Sequence, residues 1–176
     1  QLRSGRINLA VLFDDGQLAP FASAPLVEEE LMFICRTGSA FGPKGKRVSL
    51  AQALATTLIL PAQQQGVRPR IENAARATGL ALSNVIEINS IAILKSALLA
   101  DMGATILPIA PLLAEVAGGA LQVRPIHSPA LARAVTLCAS NNIPLTNAAA
   151  AVGRLVHQVT RELCASGAWS GARLPA

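Results

Sequence analysis

The chain has 176 residues, of which 52% are hydrophobic and only 14% charged, and its net charge is +5. This composition is typical of an α/β protein whose strands are covered on both faces. No apolar run reaches membrane-spanning length, because Lys95 and Asp101 interrupt the longest one. With 3% aromatic residues the chain offers little for nucleic-acid bases to stack on, so we expect the basic loop Lys44–Arg47 to be solvated.

The cysteines and histidines indicate neither a metal site nor a redox site. Cys35, Cys138 and Cys164 form no CxxC pair, and each lies in an apolar pattern. They are therefore predicted to be buried free thiols in a reducing compartment, which points to the cytoplasm. No signal peptide is expected at the amino end. His127 and His157 have no carboxylate or cysteine at ligand or triad spacing, so both are predicted at the surface.

The first part of the chain predicts two strands and a short helix. The first strand covers Ile7–Phe13, and an apolar strand over Leu31–Cys35 follows the run Glu28–Glu30. Three consecutive carboxylates on a strand alternate faces and cannot converge on one ion, so we expect this run at a solvated edge. Ser49 and Gln52 have the spacing of a capping box at the start of a helix.

The middle of the chain alternates short apolar strands with helices. The predicted strands are Leu58–Leu60, Val85–Ile88 and Thr105–Leu107. The first intervening helix has Pro69 in its first turn and stops at Gly79. The second is capped by Asn89 or Ser90, and its apolar face carries Ile91, Leu94, Leu98 and Met102. Two successive right-handed βαβ units of this kind predict a three-stranded parallel sheet.

Polar segments follow each of these three strands at the sheet edge where α/β proteins bind ligands. The predicted site residues are Gln63, Gln64, Gln65, Gly66, Val67, Arg68, Asn89, Ser90, Pro108 and Ile109. Backbone N–H groups at a helix start and the charge of Arg68 favour a small anion or a polar ligand there. The alternative is that these residues only cap helices. Taken one at a time they favour that alternative, but together they favour a site.

The last part of the chain predicts a second group of elements. We expect a short helix over Pro111–Val116, a strand over Leu121–Val123, a turn over Pro125–Pro129 and a strand over Arg133–Cys138. A long helix then begins at the cap Thr146. One face of this helix carries Val152, Leu155, Val156, Val159 and Leu163, and the other carries Arg154, His157 and Arg161.

The order of these segments resembles a known family. INLAVLF, PLVEEELMFICR, the stretch from VSLAQALATTLILPAQQQGVRPRIE onward, and EINSIAILKSALLADMGATILP resemble the effector-binding domain of LysR-type transcriptional regulators. The segment from PIHSPALARAVTLCASNNIPLT to the end continues the match, which covers essentially the whole chain. The "LP…GVRPRIE" turn and the WSGARL ending are most similar to the nitrogen-assimilation-control-like subgroup.

The resemblance implies a type 2 periplasmic-binding-protein-like fold with two Rossmann-like lobes and an inducer cleft between them. Lobe I would comprise residues 1–28 and 135–176, and lobe II residues 29–134. Lobe I would lack its first strand and helix, which predicts an exposed strand edge and poor solubility. Phe13, Asp14 and Glu30 are implied to face the cleft together with the three loops. Because hydroxyl residues often stand at the position of Phe13, the resemblance favours a partly apolar inducer or none.

The resemblance also implies a function. The chain would be the inducer-sensing and oligomerisation domain of a cytoplasmic transcription regulator, without catalysis, cofactor, metal or membrane contact. Its partners would be a small-molecule inducer and further copies in a homodimer or homotetramer, with DNA bound only through a helix-turn-helix outside this chain. The alternatives are a solute-binding protein serving a transporter and a prephenate-dehydratase-like lyase. The unpaired cysteines disfavour the first, and the missing Thr-Arg-Phe signature disfavours the second.

Overall fold

The computed structural model describes residues 1–14, 16, 18–62, 66–127 and 129–175. The chain forms two compact units, each described by itself below. Unit 1 comprises Gln1–Glu29 and Arg133–Ala176, and unit 2 comprises Glu30–Ala132.

The described residues contain ten strands, five α-helices and one short 3-10 helix. The strands are β1 (Leu9–Phe13), β2 (Ala22–Glu30), β3 (Met32–Arg36), β4 (Val48–Ser49), β5 (Leu58–Leu60), β6 (Val85–Glu87), β7 (Ala104–Leu107), β8 (Leu121–His127), β9 (Ala132–Ala139) and β10 (Ala172–Arg173). The helices are α1 (Leu50–Leu54), α2 (Val67–Ala77), α3 (Ile91–Leu99), α4 (Leu113–Ala117) and α5 (Asn147–Ala165), with the 3-10 helix at Ala110–Leu112.

Unit 1 is built on a four-stranded sheet in the order β1-β9-β2-β10. The β1 and β9 strands pair antiparallel, with Leu9 opposite Ala139 and Phe13 opposite Val135. Thr146 caps α5 as predicted, because its hydroxyl oxygen accepts a hydrogen bond from the Ala149 N–H at 3.1 Å. The buried core of this unit is small and consists of Leu26, Val27, Val135 and Leu137.

The α5 helix packs through small and half-buried residues rather than through its large apolar stripe. A Cβ atom added to Gly153 would lie 3.6 Å from Cδ2 of Leu137, so the helix backbone approaches the sheet closely there. Among the five apolar residues predicted on one face, only Val156 packs against the core. The others are between 37% and 57% exposed, and they are Val152, Leu155, Val159 and Leu163. Helical spacing thus predicted correctly that these apolar residues lie near one another on α5, but not which side of the helix is buried.

The prediction of a solvated edge at Glu28–Glu30 is wrong for Glu29. The β2 strand lies between β9 and β10, and Glu29 is only 5% exposed. Its Oε2 accepts from Arg133, whose Nε and Nη2 both lie 2.7 Å away, and its Oε1 accepts from Nε1 of Trp169 at 3.0 Å. The buried carboxylate is retained because these partners satisfy both of its oxygens.

Unit 2 is built on a six-stranded sheet in the order β4-β8-β3-β7-β5-β6. Its β5 strand pairs in parallel with both β6 and β7, which confirms the predicted three-stranded parallel part. The β3 strand extends the sheet and runs antiparallel to β7 and β8. The core is larger than that of unit 1, and its fully buried large side chains include Phe33, Ile34, Ile59, Ile71, Leu94 and Ile106.

The predicted turn beginning at Pro125 is instead part of a strand. The β8 strand continues to His127, and Pro125 stands opposite Met32 of β3. On its other side β8 pairs with β4 only at Ile126 and His127. A proline is tolerated here because no neighbouring strand requires its missing N–H on that side.

The α3 helix keeps only part of its predicted apolar face in the core. Leu94 and Leu98 are fully buried, whereas Ile91 is 41% and Met102 51% exposed. The helix ends at Leu99, and Asp101 follows in the left-handed region with φ of 59°. Met102 therefore lies beyond the helix, where helical spacing no longer determines its direction.

Asp101 forms an ion pair that makes the stability of unit 2 depend on pH. Nη2 of Arg36 donates to Oδ2 of Asp101 at 2.7 Å. The hydrogen bond from Arg36 lowers the pKa of the Asp101 carboxyl, with a further contribution from Ser39. The stabilisation is thus present above the ordinary pKa of 3.8 and is lost as the pH falls through the lowered folded-state pKa.

We expect Asp101→Asn to remove part of the decline in unfolding free energy between about pH 5 and pH 2. The measurement is urea denaturation over this range, with the slope against pH compared between variants. Asparagine is a suitable replacement because it tolerates the left-handed backbone conformation of Asp101. An unchanged slope in the variant would contradict the role of this ion pair.

All three cysteines are free, as predicted. Cys35 and Cys138 are buried and Cys164 is half-buried, and burial raises the pKa of each thiol. Within the described residues no group of three or more histidine, cysteine, aspartate or glutamate side chains is placed to hold a metal ion. None of the described helices is long and apolar enough to cross a membrane.

Candidate functional site

The carboxyl ends of β6, β5 and β7 lie side by side at one edge of the unit 2 sheet. This follows from the parallel pairing of Leu60 with Glu87 and of Leu58 with Ala104. We call the described segments that leave this edge the rim: residues 61–62 and 66, 88–90, and 108–109. The helix α2 follows the first segment, α3 the second and the 3-10 helix the third.

Direct hydrogen bonds join the first two rim segments. Oδ1 of Asn89 accepts from the Ala62 N–H at 2.8 Å, and the Ile88 N–H donates to the Leu60 carbonyl at 2.9 Å. The structure therefore brings the segments after β5 and β6 together. The buried hydroxyl of Thr105 donates to the Ile59 carbonyl at 2.7 Å and ties β7 to β5. Sequence reasoning missed Thr105, and its only signal was a hydroxyl in an apolar strand.

Two helix starts face the rim segments, and they differ in their capping. Ser90 is the cap of α3, and its Oγ accepts from the Ile93 N–H at 3.4 Å. Gly66 is the cap of α2 and supplies no side-chain hydrogen bond. Because the positive end of a helix dipole favours anions and polar acceptors, the start of α2 is the better candidate for ligand contact. Ser90 thus caps a helix, as expected if the polar residues at this edge only cap helices.

Arg68 does not present a free charge at the start of α2. The residue is 9% exposed, and its Nε lies 2.8 Å from Oε1 of Glu72, one turn further along the helix. Its Nη1 is buried without a hydrogen-bond partner in the described part of the chain. Arg68 therefore contributes one unused donor, and its charge is balanced by Glu72.

The remaining predicted site residues differ in their exposure. Val67 and Pro108 are buried, and Ile109 is half-buried against the core. Asn89 and Ser90 are exposed, so their polar groups are accessible to a ligand. The predicted residues Gln63, Gln64 and Gln65 lie outside the described residues.

Phe13 and Asp14 belong to unit 1, and Glu30 is the first residue of unit 2. Phe13 is 45% exposed, and the guanidinium carbon of Arg133 lies 3.8 Å from its ring centroid. The Asp14 N–H donates to the Ala134 carbonyl at 3.0 Å, which continues the pairing of β1 with β9. Glu30 is half-buried. Sequence reasoning missed Arg133, which lies between Phe13 and Glu29.

We expect Asn89→Ala to loosen the rim without unfolding unit 2. The variant removes the acceptor for the Ala62 N–H, a loss of about 0.5–1.5 kcal/mol in local stability. Hydrogen exchange at the Ala62 amide should accelerate, as measured by NMR. Asn73→Ala is the matched control, since Asn73 is exposed and contacts only Arg76 in the described hydrogen bonds. Equal exchange rates in all three proteins would contradict the proposed junction.

The sequence and the fold define the class of protein. A family model described as the LysR substrate binding domain matches residues 1–161. This chain belongs to that family.

Two curated relatives carry the same name. The nitrogen assimilation regulatory protein nac of Klebsiella aerogenes is 33% identical over 108 residues, which is 61% of this chain and 34% of that protein. The protein of the same name in Escherichia coli (strain K12) is 28% identical over 108 residues, again 61% of this chain and 34% of that protein. The match thus spans about a third of the length of these relatives.

Solved structures share the fold at low sequence identity. The CcmR regulatory domain of Synechocystis PCC6803 in complex with 2-PG has a TM-score of 0.77 at 16% identity, covering 92% of this chain and 77% of that one. The effector binding domain of QuiR in complex with shikimate has a TM-score of 0.77 at 17% identity, covering 92% and 75%. Reduced OxyR from N. meningitidis has a TM-score of 0.74 at 18% identity, covering 99% and 79%. The fold is therefore the type 2 periplasmic-binding-protein-like fold, as predicted.

Proposed function

We propose that this chain is the inducer-sensing and oligomerisation domain of a cytoplasmic, DNA-binding transcription regulator. The observation that carries the proposal is the family match over residues 1–161. DNA would be bound by a helix-turn-helix outside this chain. The chain would contribute ligand binding and self-association as a homodimer or homotetramer, and no catalysed reaction is proposed.

The rim of unit 2 supports a small polar or anionic inducer. It offers the start of α2 without a side-chain cap and the exposed side chains of Asn89 and Ser90. These groups donate hydrogen bonds to carboxylate, phosphate or hydroxyl oxygens. The solved complexes of CcmR with 2-PG and of QuiR with shikimate show small molecules bound to domains of this fold.

The proposed mechanism is a change in conformational populations. A ligand that binds one conformation of the domain better than another shifts the equilibrium toward the conformation it prefers. In the proposed assembly, lobe I comprises residues 1–28 and 135–176 and lobe II comprises residues 29–134. The shift would alter the geometry of the oligomer and hence the spacing of its DNA-binding heads.

The test begins with the intact protein. Mass spectrometry of small molecules that co-purify with it would nominate the inducer, and calorimetric titration would then measure its affinity. We expect Gln64→Ala and Ser90→Ala each to weaken binding by about tenfold, the effect of one lost hydrogen bond to a charged group.

Ser96→Ala is the matched control for this titration. Ser96 is an exposed serine on α3, and its hydroxyl donates only to the Ala92 carbonyl, away from the rim. Its substitution should leave the affinity unchanged. The sensing role would be rejected if no metabolite co-purified and a broad metabolite panel gave no heat of binding. Equal weakening by all three variants would reject the rim as the binding site.

A further inference from the structure

A groove runs along one side of α5 in unit 1. It consists of two cavities of about 400 Å³ each that share His157 as a lining residue. The first lies over a floor of small and aliphatic side chains that includes Ala22, Leu137, Ala150 and Gly153. The second continues past Pro25, Leu26 and Leu174. We call these two cavities together the α5 groove.

Three basic side chains border the α5 groove. Arg154, His157 and Arg161 follow one another at spacings of three and four residues, which places them on one side of the helix. Arg154 lines the first cavity and Arg161 the second. Among the described residues, no ion pair joins any of the three to a carboxylate.

Two acidic residues of the neighbouring strand β2 are already paired with arginines. Glu28 accepts hydrogen bonds from Arg173 at 2.7 and 2.9 Å, and Glu29 is paired with Arg133. On α5 itself, Glu162 accepts from Gln158 at 2.8 Å. Among the described residues none of these carboxylates forms an ion pair with Arg154 or Arg161, so both guanidinium groups are available to an anionic occupant.

We propose that the α5 groove binds an amphiphilic anion, a monocarboxylate with an aliphatic tail. The carboxylate would lie against Arg154 and Arg161, and the tail would cover the Ala, Leu and Gly floor. Cavities of this size fall in the range of about 300–1,000 Å³ that is usual for small-molecule sites, and a mostly apolar lining with a few polar groups is equally usual. This site lies within unit 1 and does not rest on the proposed inducer site at the rim.

The backbone beside the groove disfavours an added peptide strand. The β10 strand pairs with β2 only at Glu28 and Glu29. The earlier residues of β2 are not covered by β10, and residues 22–24 line the groove. Pro25 lies in that part and has no N–H to donate, so a strand added there would lack a ladder hydrogen bond. An aliphatic tail requires no such bond.

The test uses sodium decanoate as the probe, titrated into the full chain below its micelle concentration and followed by calorimetry. We expect saturable binding that the double variant Arg154→Gln, Arg161→Gln weakens by about tenfold or more. Ser23→Trp, which places a large ring in the first cavity from an exposed position, should remove binding. The double variant Lys44→Gln, Lys46→Gln removes the same charge from an exposed loop of unit 2 and should bind normally.

Two further probes separate charge from apolar contact. Decanol has the tail without the charge and acetate has the charge without the tail, so both should bind much more weakly than decanoate. Equal binding of decanol and decanoate, or no effect of the arginine variants, would overturn the proposal. Self-association in analytical ultracentrifugation that Ser23→Trp abolishes would identify a second copy as the occupant and would also overturn it. Circular dichroism of each variant establishes that it is folded.

Discussion

Replacing Glu29 with alanine should lower the unfolding free energy of unit 1 by about 3–5 kcal/mol. The substitution leaves Arg133 as an uncompensated charge with a side chain only 15% exposed, and it also removes the acceptor for Nε1 of Trp169. Loss of one partner from a buried pair costs far more than the pair itself contributes. Denaturation by urea, followed through the fluorescence of Trp169, measures the change in the unit that contains it.

Glu28→Ala is the matched control, since it removes a carboxylate from the adjacent position of the same strand. The ion pair of Glu28 with Arg173 is exposed, with side chains 40% and 74% accessible. We expect a loss of no more than about 1 kcal/mol, the usual contribution of a surface ion pair. Similar losses in the two variants would show that burial of Glu29 does not determine its contribution.

Leu94→Ala should destabilise unit 2 by about 2–5 kcal/mol. Leu94 is fully buried in the core beneath α3, and its truncation leaves a cavity that the surrounding side chains fill only in part. Because Ser90 caps α3, the same variant should weaken any ligand contact at the rim. Hydrogen exchange of the α3 amides and urea denaturation measure the two consequences.

Ile93→Ala is the control for this prediction. Ile93 is the neighbouring residue on α3 and is 60% exposed, so its truncation removes similar volume without creating a cavity. The expected change is within about 0.5 kcal/mol. A large loss in this variant would indicate that Ile93 is covered in the protein as it exists in solution.

Local patterns were sufficient to predict most elements of unit 2. The strands at Leu58–Leu60, Val85–Glu87 and Ala104–Leu107 follow from short apolar runs separated by helical segments. The caps Ser49 in unit 2 and Thr146 in unit 1 follow from a side chain that accepts from an N–H three residues later. Such signals are readable because both partners lie within a few residues of each other.

Long-range pairing set the limits of prediction. Arg133 and Glu29 are separated by 104 residues, and nothing near either residue indicates that they meet. The buried side of α5 depends on how Gly153 approaches Leu137, which its own periodicity does not specify. Pro125 was predicted in a turn because its strand partners, not its neighbours in sequence, make a proline acceptable there.

The candidate site was predictable to an intermediate degree. The order of strands and helices was enough to place three polar segments at one sheet edge, since parallel strands end together. The ion pair of Arg68 with Glu72 has helical i,i+4 spacing, yet it was not anticipated and it changes the electrostatics of the rim. The bond between Asn89 and Ala62 spans 27 residues and required the three-dimensional structure.

We expect the β1 strand to limit the solubility of this chain. It is the outermost strand of its sheet among the described residues, its five residues Leu9–Phe13 carry no charge, and Val11 and Phe13 are 51% and 45% exposed. An exposed apolar edge strand of this kind can pair with edge strands of other molecules and promote β-rich aggregation. Static light scattering should therefore rise steeply with protein concentration. Val11→Lys should suppress this rise because it places a charge on the edge strand.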